Sequence, residues 1–134
     1  MNLNLHAIRQ HCLNKKGTHA GYPFGPGTLV IKVIDKMFIL ISEHAEPLTI
    51  NLKCDPDDAL ALRAKYVAIR PGYHMNKRHW NTLSLDGSLP PDLIYGLIDE
   101  SYNWVVAGLS KKSRCLLTDS HTDEKPDLDI KDGV

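Results

Sequence analysis

No run of eighteen uncharged apolar residues occurs in this 134-residue chain, and Met1 to Lys16 holds no continuous apolar stretch of the kind a secretory signal needs. Neither membrane spanning nor export is therefore expected, and the expected compartment is the cytoplasm. Cysteine is scarce and odd in number: Cys12, Cys54 and Cys115 stand far apart, which suits reduced thiols and no disulfide. No Cys-x-x-Cys occurs, and His6 with His11 and His74 with His79 are five residues apart, a spacing that does not stack two imidazoles on one helical face, so no metal site is expected. Gly21, Gly25 and Gly27 precede a strand-like run and lack a following Lys-Ser or Lys-Thr, which excludes a phosphate-cradling loop. A nucleophile-elbow spacing is also missing. The chain is therefore expected to be no enzyme and to need no cofactor.

Net charge is absent as well, with 16 Lys plus Arg against 16 Asp plus Glu, but the balance is uneven along the chain. Residues 119–134 hold six acids and two bases, a net of −4, which leaves residues 1–118 with ten acids and fourteen bases, a net of +4. From Ala59 to Leu85 there are five bases (Arg63, Lys65, Arg70, Lys77 and Arg78) and no acid. The end of the chain is polar, acidic and poor in aromatics, so two parts are expected: a folded domain over 1–118 and a solvated acidic tail over 119–134. A chain of this size buries about two-thirds of its unfolded surface, enough for one core.

Periodicity gives the order of elements. Leu5, Ile8, Cys12 and Leu13 make an apolar stripe over about Leu3 to Lys15, a first helix. After the helix-incompatible GYPFGPG, Thr28 to Ile34 and Met37 to Ser42 read as strands joined tightly at Asp35-Lys36. The second has no polar position through MFILI, which predicts a central strand covered on both faces. Leu48 to Lys53 alternates cleanly, with Leu48, Ile50 and Leu52 opposite Thr49, Asn51 and Lys53. Asp55-Pro56-Asp57-Asp58 opens a second helix running to about Tyr66, with Asp55 as its N-cap. Gly72 to His74 and His79 to Leu85 are expected to pair around a turn at Met75 to Arg78. A long helix starts at Pro90-Pro91, with Ile94, Leu97, Ile98, Ser101, Val105 and Leu109 along one stripe broken only by Ser101. The order α-βββ-α-ββ-α predicts an α+β two-layer sandwich, an antiparallel sheet of about five strands with helices on one side.

The segment RPGYHMNKRHWNT, residues 70–82, is the most distinctive: three bases, two histidines, two aromatics, two asparagines and no carboxylate. Lys77 and Arg78 on a turn offer phosphate contacts, and Tyr73 and Trp80 offer faces for a base or a guanidinium. The same composition fits Trp80 in the core, Tyr73 against the sheet and an ordinary solvated turn. Alternation separates the two readings: if Leu83 and Leu85 face the core, Trp80 points away from it, toward the side of Asn51 and Lys53. Cys54 lies beside a helix start, where a thiol can be activated, but a buried inert cysteine is the expectation. Asp57 with Asp58 and Asp99 with Glu100 read as caps and solvated surface.

The segments YPFGPGTLVIKV, MFILIS, NLKCDPDDALALR, RPGYHMNKRHWNTLSLDGSLP and LIDESYNWVVAGL, in that order, resemble the MmcQ/YjbR family of small bacterial cytoplasmic proteins over about Leu3 to Leu109. The resemblance implies a frataxin-like, secretion-chaperone-like sandwich and a double-wing role in DNA binding. The wings fall on the turn after Ile34 and on Met75 to Arg78, and the first presents one base, Lys36, beside the acid Asp35. The expected DNA-binding residues are Lys53, Arg70, Tyr73, His74, Asn76, Lys77, Arg78, His79 and Trp80, acting largely on phosphates, weakly and with salt sensitivity. The alternative is a non-enzymatic adaptor, monomer or weak dimer, that meets a protein partner through the sheet face or an edge strand. A pocket around Tyr22, Phe24 and Trp80 is a third reading.

Overall fold

The computed structural model describes residues 3–72 and 76–122. Helix α1 (Leu5–Leu13) starts where Asn4 turns its side-chain oxygen onto the Ala7 amide at 2.8 Å, and it buries Ile8 and Cys12. Strand β1 (Thr18–Gly21) follows, then β2 (Thr28–Val33), β3 (Lys36–Ser42) and β4 (Thr49–Lys53). Asp55 caps α2 (Pro56–Lys65) as its sequence predicts, accepting from the amides of Asp57 at 2.8 Å and Asp58 at 3.3 Å. The chain continues through β5 (Ile69–Pro71), β6 (Trp80–Ser84), α3 (Pro91–Ala107) and α4 (Lys111–Thr122). All neighbouring strands pair antiparallel in the order β1-β2-β3-β4-β6-β5, an open sheet of six strands.

The two-layer α+β architecture is the expected one, with β1 as an additional edge strand and α4 as an additional helix. Thr18–Gly21 pairs along Val33 to Val30 without any alternation of its own to announce it. A strand lies at Ile69–Pro71, where a proline is tolerated because the strand is an edge; the expected strand at Gly72 to His74 falls, past Gly72, outside the described residues. Within β5 the Ile69 amide turns away from β6 and donates to the Tyr66 carbonyl at 3.1 Å, while the Gly72 amide donates inward to Trp80 O at 2.9 Å. The backbone of 119–122 continues α4 across the expected boundary at 118/119, and the rest of the acidic segment lies outside the described residues.

The helical layer covers one sheet face. Ile8 and Cys12 from α1 and Ile94, Leu97, Ile98 and Val105 from α3 pack with Leu29, Ile31, Ile39, Ile41, Ile50, Leu52 and Leu83. A register shift between Ile31 and Lys32 leaves Phe38 as the extra residue on β3, so Phe38 and Ile39 both enter this core. Ser101, the polar break in the α3 stripe, is fully buried at that bulge: its hydroxyl donates to Phe38 O at 2.6 Å and accepts from the Lys53 amide at 2.9 Å. The opposite face has no helix over it. There Val30, Leu40 and Trp80, with Met37 beside them, make a separate small cluster, so the central strand β3 is covered on both sides, by helices on one and by side chains of its own sheet on the other.

The turn between β2 and β3 holds Ile34 at φ 58°, a left-handed conformation that costs a β-branched residue strain. Two hydrogen bonds hold it there: the Ile34 amide donates to Gly17 O at 2.9 Å, and Ile34 O lies 2.7 Å from His19 Nε2. Gly17 itself is at φ 73°, and a Cβ there would collide with Leu117 of α4 and press on Ile34.

Asp99, expected to be solvated surface, ties α1 to α3. His11 Nε2 lies at 2.7 Å and Lys15 Nζ at 2.6 Å from the same carboxylate oxygen. Burial alone raises the Asp99 pKa, but the hydrogen bonds from Lys15 and His11 outweigh it and hold the carboxyl below its ordinary value. A carboxyl depressed in the folded state stabilises it above the unfolded pKa of about 3.9 and loses that contribution as pH falls through the lower folded value. The group is half-exposed, so the expected effect is below about 1 kcal/mol. Urea midpoints measured from pH 7 down to pH 3 are expected to fall more steeply for the wild type than for Asp99→Asn; parallel curves would remove this tie as a source of stability.

Candidate nucleic-acid interface

The turn of residues 76–79 is built on Asn76. Its side-chain oxygen accepts from the Arg78 amide at 2.9 Å, and its carbonyl accepts from the amides of His79 at 3.3 Å and Trp80 at 3.0 Å. Arg63, reaching over from α2, holds the turn from outside: its Nε donates to Asn81 Oδ1 at 2.7 Å and its Nη2 to the Lys77 carbonyl. Asn81 is fixed in turn by its Nδ2 donating to Ala59 O at 3.4 Å. Sequence reading counts Arg63 among the bases and misses this role, which only the packing of α2 beside β6 reveals. Lys77 and Arg78 are exposed, and among the described residues neither forms an ion pair.

Strand pairing puts Lys53 opposite Trp80 and extends the ladder by a Cys54 amide to His79 carbonyl bond of 2.7 Å. On the helix-free face, Arg70 donates from Nη2 to Ser84 Oγ at 2.9 Å, and Thr82 donates to Asn51 Oδ1 across β6 and β4. Charge on the strands is one-sided. Lys32, Lys36, Lys53 and Arg70 lie in the six strands, and no strand contains an Asp or Glu. Tyr73 and His74, expected as site residues, lie outside the described residues.

Trp80 points away from the helical core, as alternation predicts, yet its indole is only 6% exposed. It forms one apolar cluster on that face with Leu40, Val30 and Met37 of β2 and β3. A stacking surface open to solvent, as expected from the sequence, is not what this residue provides. It supports the Lys53 ammonium instead, which lies 6.0 Å from the ring centroid. The exposed indole is that of Trp104 on α3, 38% accessible and 6.2 Å from the His79 ring. His79 is half-buried, and its Nδ1 is buried without a hydrogen-bond partner.

Lys36, Met37, Lys53, Trp80, Trp104 and Val105 line a cleft of about 620 Å³. The cleft brings the start of β3, just after the first turn, to the end of β4 and the start of β6, just after the second. Tyr22, exposed like Phe24, lines a different cavity with His19, Pro23, Val30 and Lys32, and its hydroxyl donates to Glu43 at 2.7 Å. The pocket combining Tyr22, Phe24 and Trp80 therefore does not form.

Thiol chemistry is disfavoured at the buried cysteines. Burial, with a smaller contribution from Asp58, pushes the Cys54 thiol up to about 11, and burial pushes Cys12 up to about 12. No group of three metal-ligating side chains occurs among the described residues, and none of their helices is long and apolar enough to cross a membrane.

Comparison with known proteins places this arrangement. The YjbR family matches residues 13–104. The uncharacterised protein YjbR of Escherichia coli (strain K12) is 36% identical over 115 residues, covering 86% of this chain and 98% of the relative. The uncharacterised protein YbdF of Escherichia coli O157:H7 is 42% identical over 93 residues, 69% of this chain and 76% of the relative. Among solved structures, the Deinococcus radiodurans protein DR2400 aligns with a TM-score of 0.80 at 36% identity, covering 86% of this chain and 88% of that one. A Pseudomonas syringae protein aligns with a TM-score of 0.66 at 28% identity, covering 76% and 98%. With the fold, the sequence match and the aligned structures in agreement, the chain belongs to the YjbR family.

Proposed function

We propose that the protein is a non-catalytic nucleic-acid-binding domain that grips phosphates with the turn of residues 76–79 and the helix-free sheet face. The observation that carries the reading is the separation of charge: the strands hold four Lys or Arg and no carboxylate, and Lys77 and Arg78 project from a turn whose backbone Arg63 already anchors. Phosphate oxygens accept from ammonium and guanidinium groups whatever the base sequence, so binding of this kind is sequence-tolerant. About four to six contacts give a slope near −4 to −5 in log affinity against log salt, a loss of about 10² to 10³ between 50 and 200 mM.

Residues 123–134 carry five acids and two bases, a charge expected to compete with DNA for the same cations. Ending the chain at Thr122 keeps α4 whole. The expected result is that this truncation binds a labelled DNA duplex several-fold more tightly at 50 mM salt, with the gain disappearing as salt rises. Absence of salt-dependent binding by both forms would transfer the reading to a protein-binding adaptor, for which Tyr22 and Phe24 are among the exposed apolar side chains.

A further inference from the structure

The cleft between the two turns has a chemistry that phosphate gripping alone does not use. It combines two ammonium groups, Lys36 and Lys53, with two indoles, Trp80 at its buried base and the accessible Trp104 at its side. Among the described residues no carboxylate lines it; Asp35 and Glu100, one residue before Lys36 and one helical turn before Trp104, lie outside the lining. Its volume of about 620 Å³ is that of a small-ligand site rather than of a groove for a helix or a duplex. The His79 ring stands 6.2 Å from that of Trp104, outside the lining of the cleft.

We infer that this cleft receives an unpaired nucleotide, its base against Trp104 and its phosphate on Lys36 and Lys53. An indole face stacks on any nucleobase, and the two ammonium groups supply donors for the phosphate oxygens of the same nucleotide. A paired base cannot present its face to Trp104 without leaving the stack, so the cleft selects unpaired nucleotides, either free or within a single strand. This rests on the nucleic-acid reading above for the single-strand case, and stands apart from it for the free nucleotide.

Three ligands separate the cases: a fluorescein-labelled short oligothymidylate, a duplex of the same length, and free thymidine monophosphate. Trp104→Ala is expected to weaken the oligothymidylate about ten-fold or more and to leave the duplex within about two-fold, while Trp104→Phe retains most of the affinity. Lys36→Gln with Lys53→Gln is expected to lower the salt slope for the single strand by about two. The monophosphate, titrated by calorimetry, is expected to bind the wild type and not Trp104→Ala. Duplex binding with no Trp104-dependent binding of either other ligand overturns this inference and leaves phosphate gripping intact. Trp104-dependent binding of the monophosphate alone supports the cleft and overturns the polymer reading, and failure of all three ligands overturns both.

Discussion

Replacing Ser101 with alanine is expected to destabilise the fold by about 2–4 kcal/mol, since the change strips the partner from a buried carbonyl and from a part-buried amide at once. The Phe38 carbonyl is exposed from its ladder by the bulge, and the Lys53 amide lies at the end of β4; the single Ser101 hydroxyl serves both, at 2.6 and 2.9 Å. Urea unfolding at constant m-value measures the cost, and a loss under about 0.5 kcal/mol would mean that a water molecule takes over the hydroxyl's role. Because Lys53 is one of the two partners, the same variant is expected to disturb the open face as well as the core.

Reversing both charges at the second turn, Lys77→Glu with Arg78→Glu, is expected to lower duplex affinity on the order of 100-fold at 50 mM salt and to flatten the salt slope by about two. Stability is expected to change by less than about 0.5 kcal/mol, since both side chains are exposed. The contact that Arg63 makes to this turn is to the Lys77 main-chain carbonyl, which survives the substitution. Fluorescence anisotropy at several salt concentrations, with thermal unfolding as the control, gives both numbers. Unchanged affinity in a folded variant would take the turn out of the interface.

The parts of the fold legible in the sequence were those with long uninterrupted periods: the α3 stripe, the alternation of β4 and the Asp55 cap each correspond to an observed element. Strand β1 escaped because four residues, THAG, carry no pattern and are held mainly by pairing with β2. Helix α4 escaped because KKSRCLLTDSHT is polar and rests on the rest of the molecule through few apolar residues, Leu117 among them. At the candidate site, alternation found the face of Trp80 but not its burial. That depends on Val30 and Leu40, whose own runs are apolar on both faces and so do not reveal which neighbours they meet. Arg63 and Trp104 gave no signal either, because their parts in the interface are set by how α2 and α3 lie against the sheet.

The two rims of the sheet are not equivalent. Along β5 the outward positions belong to Ile69, whose N–H already serves Tyr66, and to Pro71, which has none, so among the described residues that strand has no main-chain donor to offer an incoming chain. Strand-to-strand fusion of identical molecules then has only the β1 rim available. With one competent rim per molecule, edge pairing is expected to close after two copies around a two-fold axis and not to propagate into a ribbon.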